Sequence, residues 1–189
     1  MQKLFSQIPC LKGERVTLRA LTLDDADGLR ELTGDEEVYR YLPTFLFEKK
    51  YDDAEEVISR LYDECLKDSL ILGIFTEDRF CGLAEAYGYR PSIRKVSIGC
   101  RLVRAAWGKN LAADVIRLLL DHLIYRTGIQ LVFASSMSNN PMSPPSLKEL
   151  GFKRVAHGVN KDWGYEQPIR TDIWELSGIR YRRQHPMEP

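Results

Sequence analysis

Three successive runs with a period of two constrain the fold of this chain more than any other feature. They read LILGIFT, RFCGLAEAYGY and RKVSIGCRLV, over residues 70–76, 79–89 and 94–103. The dipeptides ED and PS lie at the two connections, and residues of these types favour tight turns. Because strands joined by such short connections run antiparallel, the pattern predicts a three-stranded meander.

Helical patterns precede the meander. A strand-like run, RVTLRAL, is followed by Thr22 and Asp25, which have the spacing of a capping box, and then by Gly34, a residue type found at helix ends. Apolar residues at helical spacing predict a second helix from Asp52 to Lys67. The chain thus begins with one strand and two helices.

The segments after the meander alternate between helix and strand. An apolar helical stripe follows WGKN and ends at Gly128, and IQLVFASSM then forms a buried strand. Ser143 is a candidate N-cap and Pro144 a candidate first residue for a short helix that ends at Gly151. Two strands, FKRVAH and TDIWELS, close the chain. The predicted order is β-α-α-β-β-β-α-β-α-β-β, a mixed α/β (α+β) arrangement.

Composition narrows the classes of function. The chain has 189 residues without a Pro/Gly/Ser-rich stretch, so residues 1–189 are expected to form a single domain with a loose C-terminal tail at 179–189. Lys+Arg and Asp+Glu number 27 each, which gives no overall basic field to attract nucleic acid or an anionic membrane. Without a signal peptide or about 18 consecutive apolar residues, the protein is expected in the cytoplasm. Four cysteines without a CxxC pair predict free thiols and no metal site.

The loop before the third predicted helix has the character of an anion site. Its sequence, WGKNLAADV, places a glycine, a lysine and an asparagine where the helix begins. A helix start exposes N–H groups without intrahelical partners together with the positive end of the helix dipole. An ordinary helix start with a turn glycine is the competing interpretation of this segment taken alone.

Two helix starts together resemble those of a known family. WGKNLAADV and NPMSPPSLKELGF, in this element order, resemble the GNAT superfamily of acyl-CoA-dependent N-acetyltransferases, and especially its branch of ribosomal-protein N-terminal acetyltransferases. The likeness covers nearly the whole chain. It implies a mostly antiparallel central sheet of about seven strands flanked by four helices.

The resemblance also implies the residues that bind acetyl-CoA. The pyrophosphate is expected over the loop and helix start, and the pantetheine arm beside the next helix start. The thioester carbonyl is expected to meet a backbone N–H of the preceding strand, between two strands that splay apart. The residues implied are Leu102, Val103, Gly108, Lys109, Asn110, Leu111, Ala112, Asn140 and Ser143.

Acetyl transfer also needs groups that move protons. Glu85 is the acidic residue within GLAEAYGY and a candidate to deprotonate the amine, although strand alternation would equally allow it to face solvent. Asp162 is a second candidate by resemblance, with a solvated loop charge as the competing interpretation. Ser143 is the candidate to assist the leaving thiolate, because Leu147 stands where many members of the family have a tyrosine.

The function implied is transfer of an acetyl group from acetyl-CoA to a primary amine by direct attack in a ternary complex. The acceptor is a protein N-terminus, a polyamine or another small amine, and the sequence does not choose among them. It also does not choose between a monomer and a homodimer. Ala105 and Asn110 depart from the family pattern. They motivate an alternative, a catalytically silent acyl-CoA-binding sensor or assembly module.

Overall fold

The computed structural model describes residues 7–66 and 69–186. One eight-stranded sheet runs through them in the spatial order β1-β2-β3-β4-β5-β6-β8-β7. The pair β5 and β6 is parallel, and every other neighbouring pair is antiparallel. The strands are β1 Leu11–Lys12, β2 Thr17–Arg19, β3 Ser69–Thr76, β4 Arg79–Arg90, β5 Lys95–Leu102, β6 Leu131–Met137, β7 Lys153–Lys161 and β8 Ile169–Ser177.

Six α-helices accompany the sheet within these described residues. They are α1 Ala26–Thr33, α2 Glu36–Tyr39, α3 Ala54–Cys65, α4 Leu111–Asp121, α5 Ser143–Glu149 and α6 Gly178–Gln184. A π-helical turn, His122–Arg126, continues α4, and Gly128 follows in the left-handed region with φ +71°. None of the helices in the described residues is long and apolar enough to cross a membrane.

The predicted fold class and the predicted meander are confirmed, and β3, β4 and β5 form that meander. The counts differ by one short strand and two short helices. Strand β1 has only two residues, which is too short for a periodic pattern to reveal. Helix α2 has four residues and begins where the Asp35 side chain accepts the Glu37 N–H. The second predicted helix is α3, which begins at Ala54 and ends at Cys65, whereas Lys67 lies outside the described residues.

The expectation of a loose tail is wrong for the part of it that the structure describes. Residues 178–184 form α6, and Tyr181 within it is fully buried. The Tyr181 hydroxyl donates to the Asp121 carboxylate at 2.8 Å, and Arg182 donates to the Ile124 carbonyl at 3.1 Å. A buried aromatic ring and two long-range hydrogen bonds outweigh the entropy that a terminal segment gains by fraying.

The two faces of the sheet carry different layers. We call the face with Glu85, Gly99 and Arg101 the front face. The side chain of Leu21, which precedes α1, packs over Gly73 on this face. On the opposite back face, Gly151, two residues after the end of α5, lies beside Leu176 of β8. The core lies on both sides of the central strands, as expected for a sheet between helical layers.

Candidate active site

Strands β5 and β6 separate at their carboxyl ends. Their parallel ladder runs from Lys95 with Leu131 to Ile98 with Ala134 and stops there. Beyond it, among the residues that the structure describes, β5 pairs only with β4, and β6 pairs only with β8. We call the unpaired ends, residues 99–102 and 135–137, the β5–β6 opening. The predicted splay of two neighbouring strands is therefore present, and α4 and α5 both begin just beyond it.

The backbone of β5 at this opening divides its hydrogen bonds between two sides. The Val103 N–H donates to the Cys81 carbonyl on the β4 side at 3.0 Å. Because successive residues of a strand direct their amides to opposite sides, the Leu102 N–H lies on the β6 side, at the opening. The Leu102 carbonyl accepts from the Trp107 indole N–H at 2.8 Å. Two residues were expected to meet a thioester carbonyl. The Leu102 N–H faces the opening, whereas the Val103 N–H already donates to the Cys81 carbonyl.

The loop before α4 adopts a conformation suited to an anion. Gly108 and Asn110 have φ values of +73° and +57°, which are left-handed, and they flank Lys109. Glycine adopts such angles freely, and asparagine is among the few other residues that tolerate them. A Cβ atom built on Gly108 would have no heavy atom of residues 7–66 or 69–186 within 4 Å, so the space beside it is open.

The first turn of α4 leaves backbone donors unpaired by the helix. This eleven-residue helix begins at Leu111, and the Asn110 side chain makes no capping hydrogen bond to it. The Leu111 side chain is buried in the core, and Ala112 is half-buried. The contribution of these two residues to an anion site therefore comes from their N–H groups.

Arg15 compensates for an acidic residue in this first turn. Asp114 would oppose a bound phosphate, but Arg15 forms an ion pair with its carboxylate. Arg15 also donates to the Lys109 carbonyl at 3.2 Å and so braces the loop. The groups around residues 108–112 therefore fit a pyrophosphate, with Lys109 as a further cation beside the free N–H groups.

Asn140 and Ser143 lie at the start of α5. The Asn140 carbonyl oxygen accepts the Met142 N–H at 2.9 Å, and its amide nitrogen donates to Ser143 Oγ at 3.1 Å. Since the serine oxygen accepts this bond, its own proton remains available for another acceptor.

The prediction that Ser143 caps this helix is wrong. Met142 is the N-cap, and Ser143 is the first helical residue. The next two residues, Pro144 and Pro145, have no N–H, so a serine cap would lack one of its usual donors.

Glu85 is held in place by a buried arginine. Its Oε2 atom forms an ion pair with Arg101 Nη1 at 3.2 Å, and its side chain is 13% exposed. Its cross-strand partner is Gly99, and Oε1 would lie 3.1 Å from a Cβ atom built there. Gly99 is the first residue of β5 beyond the parallel ladder, so the carboxylate lies over the edge of the β5–β6 opening. Of the two interpretations of Glu85, the outward-facing one is wrong.

Arg101 joins Glu85 to a second carboxylate. Arg101 Nη2 donates to Glu48 at 2.7 Å, and the two side chains are 2% and 1% exposed. The Tyr39 hydroxyl donates to the same Glu48 carboxylate at 3.1 Å. Burial would lower the pKa of Arg101, but the charges of Glu48 and Glu85 raise it, and the guanidinium stays charged. Two carboxylates and a single guanidinium together carry one negative formal charge. Glu85 is the more exposed of the two carboxylates.

Asp162 is not part of this cluster. It is exposed in the β7–β8 loop, where Oδ1 accepts the Gly164 N–H at 2.8 Å and stabilises a turn. The same loop contacts the segment after α2, because the Thr44 N–H donates to the Trp163 carbonyl at 2.9 Å. The Tyr165 hydroxyl also donates to the Leu42 carbonyl at 2.8 Å. These two loops therefore lie side by side.

Sequence reasoning missed Arg101, Glu48 and Gly99. A signal for Arg101 was present, because a charged residue within an apolar strand needs a partner just as Glu85 does. The sequence positions of Glu85 and Arg101 gave no register, so the pair could not be recognised from them. Glu48 comes from the short 3-10 turn Phe47–Lys49, which has no periodic pattern.

Comparison with known proteins agrees with this architecture. The family model described as an acetyltransferase (GNAT) domain matches residues 15–153. An uncharacterized N-acetyltransferase, p20 of Bacillus licheniformis, is 25% identical over 173 residues, which cover 90% of this chain and 96% of the relative. The family match extends over well more than half of the chain and includes the opening and both helix starts.

Solved structures share the fold. Mycobacterium smegmatis RimJ in complex with a CoA disulfide has a TM-score of 0.80 at 17% identity and covers 96% of this chain and 91% of its own. RimL, a ribosomal L7/L12 alpha-N-protein acetyltransferase in complex with coenzyme A, has a TM-score of 0.76 at 14% identity, with coverages of 89% and 98%. A chimera of Vibrio cholerae spermidine N-acetyltransferase SpeG and hSSAT has a TM-score of 0.74 at 18% identity, with coverages of 90% and 99%.

At these identities the structural likeness shows the fold alone. The family model adds a sequence match over residues 15–153, which contain the splayed strands, the loop before α4 and the start of α5. The chain therefore belongs to the GNAT family of acetyltransferases.

Proposed function

We propose that this protein transfers an acetyl group from acetyl-CoA to a primary amine by direct attack within a ternary complex. The observation that supports this most strongly is the β5–β6 opening, which has free N–H groups at the start of α4 beyond it and the Glu85 carboxylate at its edge. The acetyl thioester supplies the electrophilic carbon. All other functions in the proposal are performed by residues of this chain.

Cofactor binding is assigned to two helix starts. The N–H groups of residues 108–112 bind the pyrophosphate, with Lys109 as an additional positive charge. Asn140 binds the pantetheine arm through the amide hydrogen that it does not donate to Ser143. A reducing cytoplasm, expected from the sequence, is the compartment in which we place this activity.

In the chemical step the amine loses one proton and the sulfur leaves as a thiolate. The amine nitrogen attacks the thioester carbonyl, whose oxygen gains charge and accepts a hydrogen bond from the Leu102 N–H. Glu85 Oε1 takes the proton that the amine loses. The carbon–sulfur bond then breaks, and the Ser143 hydroxyl assists the departing thiolate. Asp162 is the second candidate for the base, although its oxygen Oδ1 already accepts a backbone hydrogen bond.

The test is an assay of free CoA thiol release. Purified protein is incubated with acetyl-CoA alone and with a panel of amino acids, N-terminal peptides, alkylamines and polyamines. We expect thiol release that depends on an amine, with the acetylated amine identified by mass spectrometry. Thermal stabilisation by acetyl-CoA without turnover on any amine would instead support a sensor or assembly module. Absence of both would remove the helix starts from cofactor binding.

A further inference from the structure

The front face of the sheet is only partly covered beyond β5, because Met137 and Thr171 are buried there but the residues nearer the parallel ladder are not. Back-face residues of these strands are almost fully buried, as Val96, Ile98 and Trp174 show. Their front-face neighbours are only half-buried. We call these neighbours the front strip, which consists of Ser97, Gly99, Phe133, Ser135, Ile173 and Glu175. The strip adjoins the β5–β6 opening on the face that carries Glu85, so an acceptor can approach the opening along it.

The side chains of two lysines lie over this strip. Lys161, the last residue of β7, donates to Ser135 Oγ at 3.5 Å. Lys95, the first residue of β5, holds its ammonium 4.1 Å from the centre of the Phe133 ring. Burial and the charge of Lys95 both lower the pKa of Lys161. Neither lysine forms an ion pair with a carboxylate in residues 7–66 and 69–186.

The nearby acidic residues that the structure describes form no ion pair with these two cations. Asp162 adjoins Lys161 in sequence, but its oxygen Oδ1 accepts the Gly164 N–H. Glu175 on β8 is the cross-strand partner of both Phe133 and Lys153 and forms no ion pair with Lys95 or Lys161. The charge of Lys161 is therefore not compensated by an ion pair at the place where an acceptor would lie.

The lysines and Glu85 place opposite charges on the two sides of the opening. Glu85 lies over Gly99 on β5, and Lys161 reaches Ser135 on β6, each the first residue of its strand beyond the shared ladder. Neighbouring strands are about 4.8 Å apart, and the two strands diverge here. The Glu85 carboxylate and the Lys161 ammonium are therefore separated by roughly 5–10 Å. That distance suits an amine and a carboxylate joined by a few atoms.

We propose that the acceptor is a primary amine that carries a carboxylate, with its amine at Glu85 and its carboxylate at Lys161 and Ser135. This rests on the proposed function and narrows its substrate class. Lys161 attracts the carboxylate and repels the protonated amine, so the two lysines set the direction in which the acceptor binds. A polyamine lacks the anion and brings a second cation toward Lys95 and Lys161, which disfavours it.

The test compares acceptors that differ only in the carboxylate. Glycine, β-alanine and 4-aminobutyrate are assayed by thiol release beside methylamine, ethylamine and n-propylamine, and putrescine serves as the cationic probe. We expect kcat/KM to be about tenfold or more higher for the amino acid of best length than for its matched alkylamine, as a hydrogen bond between charged groups provides. Putrescine should be the poorest acceptor.

A variant pair connects this preference to the lysine. Lys161→Met should lower kcat/KM for the preferred amino acid to about the level of its alkylamine, a loss of about tenfold. Lys153→Met changes a lysine at the other end of β7 and should keep the wild-type preference. Equal rates for amino acids and alkylamines in the wild type would overturn the inference while the proposed function stands. No turnover with any amine would overturn both.

Discussion

Glu85 on β4 and Gly99 on β5 are cross-strand partners, and the glutamate carboxylate occupies the space above the glycine. The missing side chain at residue 99 lets Oε1 lie at the edge of the β5–β6 opening, and Arg101 holds the other oxygen. Because Gly99 has no side chain, the Glu85 carboxylate of the neighbouring strand has room above it.

Replacing the carboxylate at residue 85 tests its proposed role as a base. Glu85→Gln should lower kcat at neutral pH by about 100-fold to 10,000-fold, the usual contribution of general acid–base catalysis, with little change in acetyl-CoA affinity. The loss should be partly recovered at higher pH, where more of the acceptor amine is neutral. Steady-state kinetics across pH 6 to 9 measures this, with the exposed Glu149→Gln as the control. Wild-type turnover at every pH would transfer the role to Asp162 or solvent.

Adding a methyl group at residue 99 tests the position of the carboxylate. The Cβ atom of Gly99→Ala would lie 3.1 Å from Glu85 Oε1, so the carboxylate must move by a few tenths of an ångström. We expect kcat to fall by about 10- to 100-fold, since small misplacements of reacting groups are costly. In a Glu85→Gln background the same change should cost much less, because the two residues act through one contact. Additive losses in the double variant would contradict this.

Closing the loop before α4 tests cofactor binding. Gly108→Val fills the open space beside the free N–H groups and should weaken acetyl-CoA binding by about tenfold or more in calorimetric titration. Gly88→Val is a matched control, because both glycines have φ above +60° and no atom within 4 Å of a built Cβ. Equal affinities in the two variants would argue against this site. Asn110→Gly should keep or improve the affinity, and a large loss would identify the asparagine side chain as a ligand.

Removing the hydroxyl of Ser143 separates catalysis from stability. Ser143→Ala should lower kcat less than Glu85→Gln does, because a thiol of pKa about 8.5 leaves readily as a thiolate. Since Ser143 does not cap α5, the variant should not show the loss of about 0.5–2 kcal/mol that removal of an N-cap causes. Thermal melts recorded with the kinetics check both statements. An unchanged kcat would remove the hydroxyl from the mechanism.

Asp172 makes stability depend on acidic pH. This buried carboxylate accepts hydrogen bonds from Ser138, Gly158, Arg154 and His157. Burial would raise its pKa, but these bonds lower it to about 2. Because the folded pKa lies below that of the unfolded chain, about 3.9, the ionised form stabilises the fold. The contribution, at most about 2.6 kcal/mol, is present above about pH 5 and is lost as the pH falls toward 2.

Urea unfolding at pH 6 and pH 3 measures the contribution of ionised Asp172 to the free energy of unfolding. Asp172→Asn should be less stable than the wild type at pH 6, and the difference between them should shrink at pH 3. Asp63→Asn, an exposed aspartate on α3, should track the wild type at both values. A difference that stayed constant with pH would show that Asp172 acts through packing and not through its charge.

The C-terminal helix illustrates how a local pattern can mislead. A short, charged, proline-containing terminus is typical of a frayed tail, and residues 179–189 were therefore expected to be loose. In the structure the Tyr181 ring is buried, and its hydroxyl bonds to Asp121 at the end of α4. The partner that orders this segment lies far away in sequence, where no window of local pattern includes it.

What the sequence by itself determined is the set of local elements and the two helix starts of the family. A period of two predicted the meander, and a period near 3.6 predicted α3 and α4. Only the tertiary structure decided that Arg101 links Glu85 to Glu48, that Gly99 leaves room for the carboxylate, and that Leu102 and not Val103 has its N–H at the opening. Periodicity and capping depend on neighbours within a few residues. Ion pairs across strands depend on register, which is set by packing of the whole sheet.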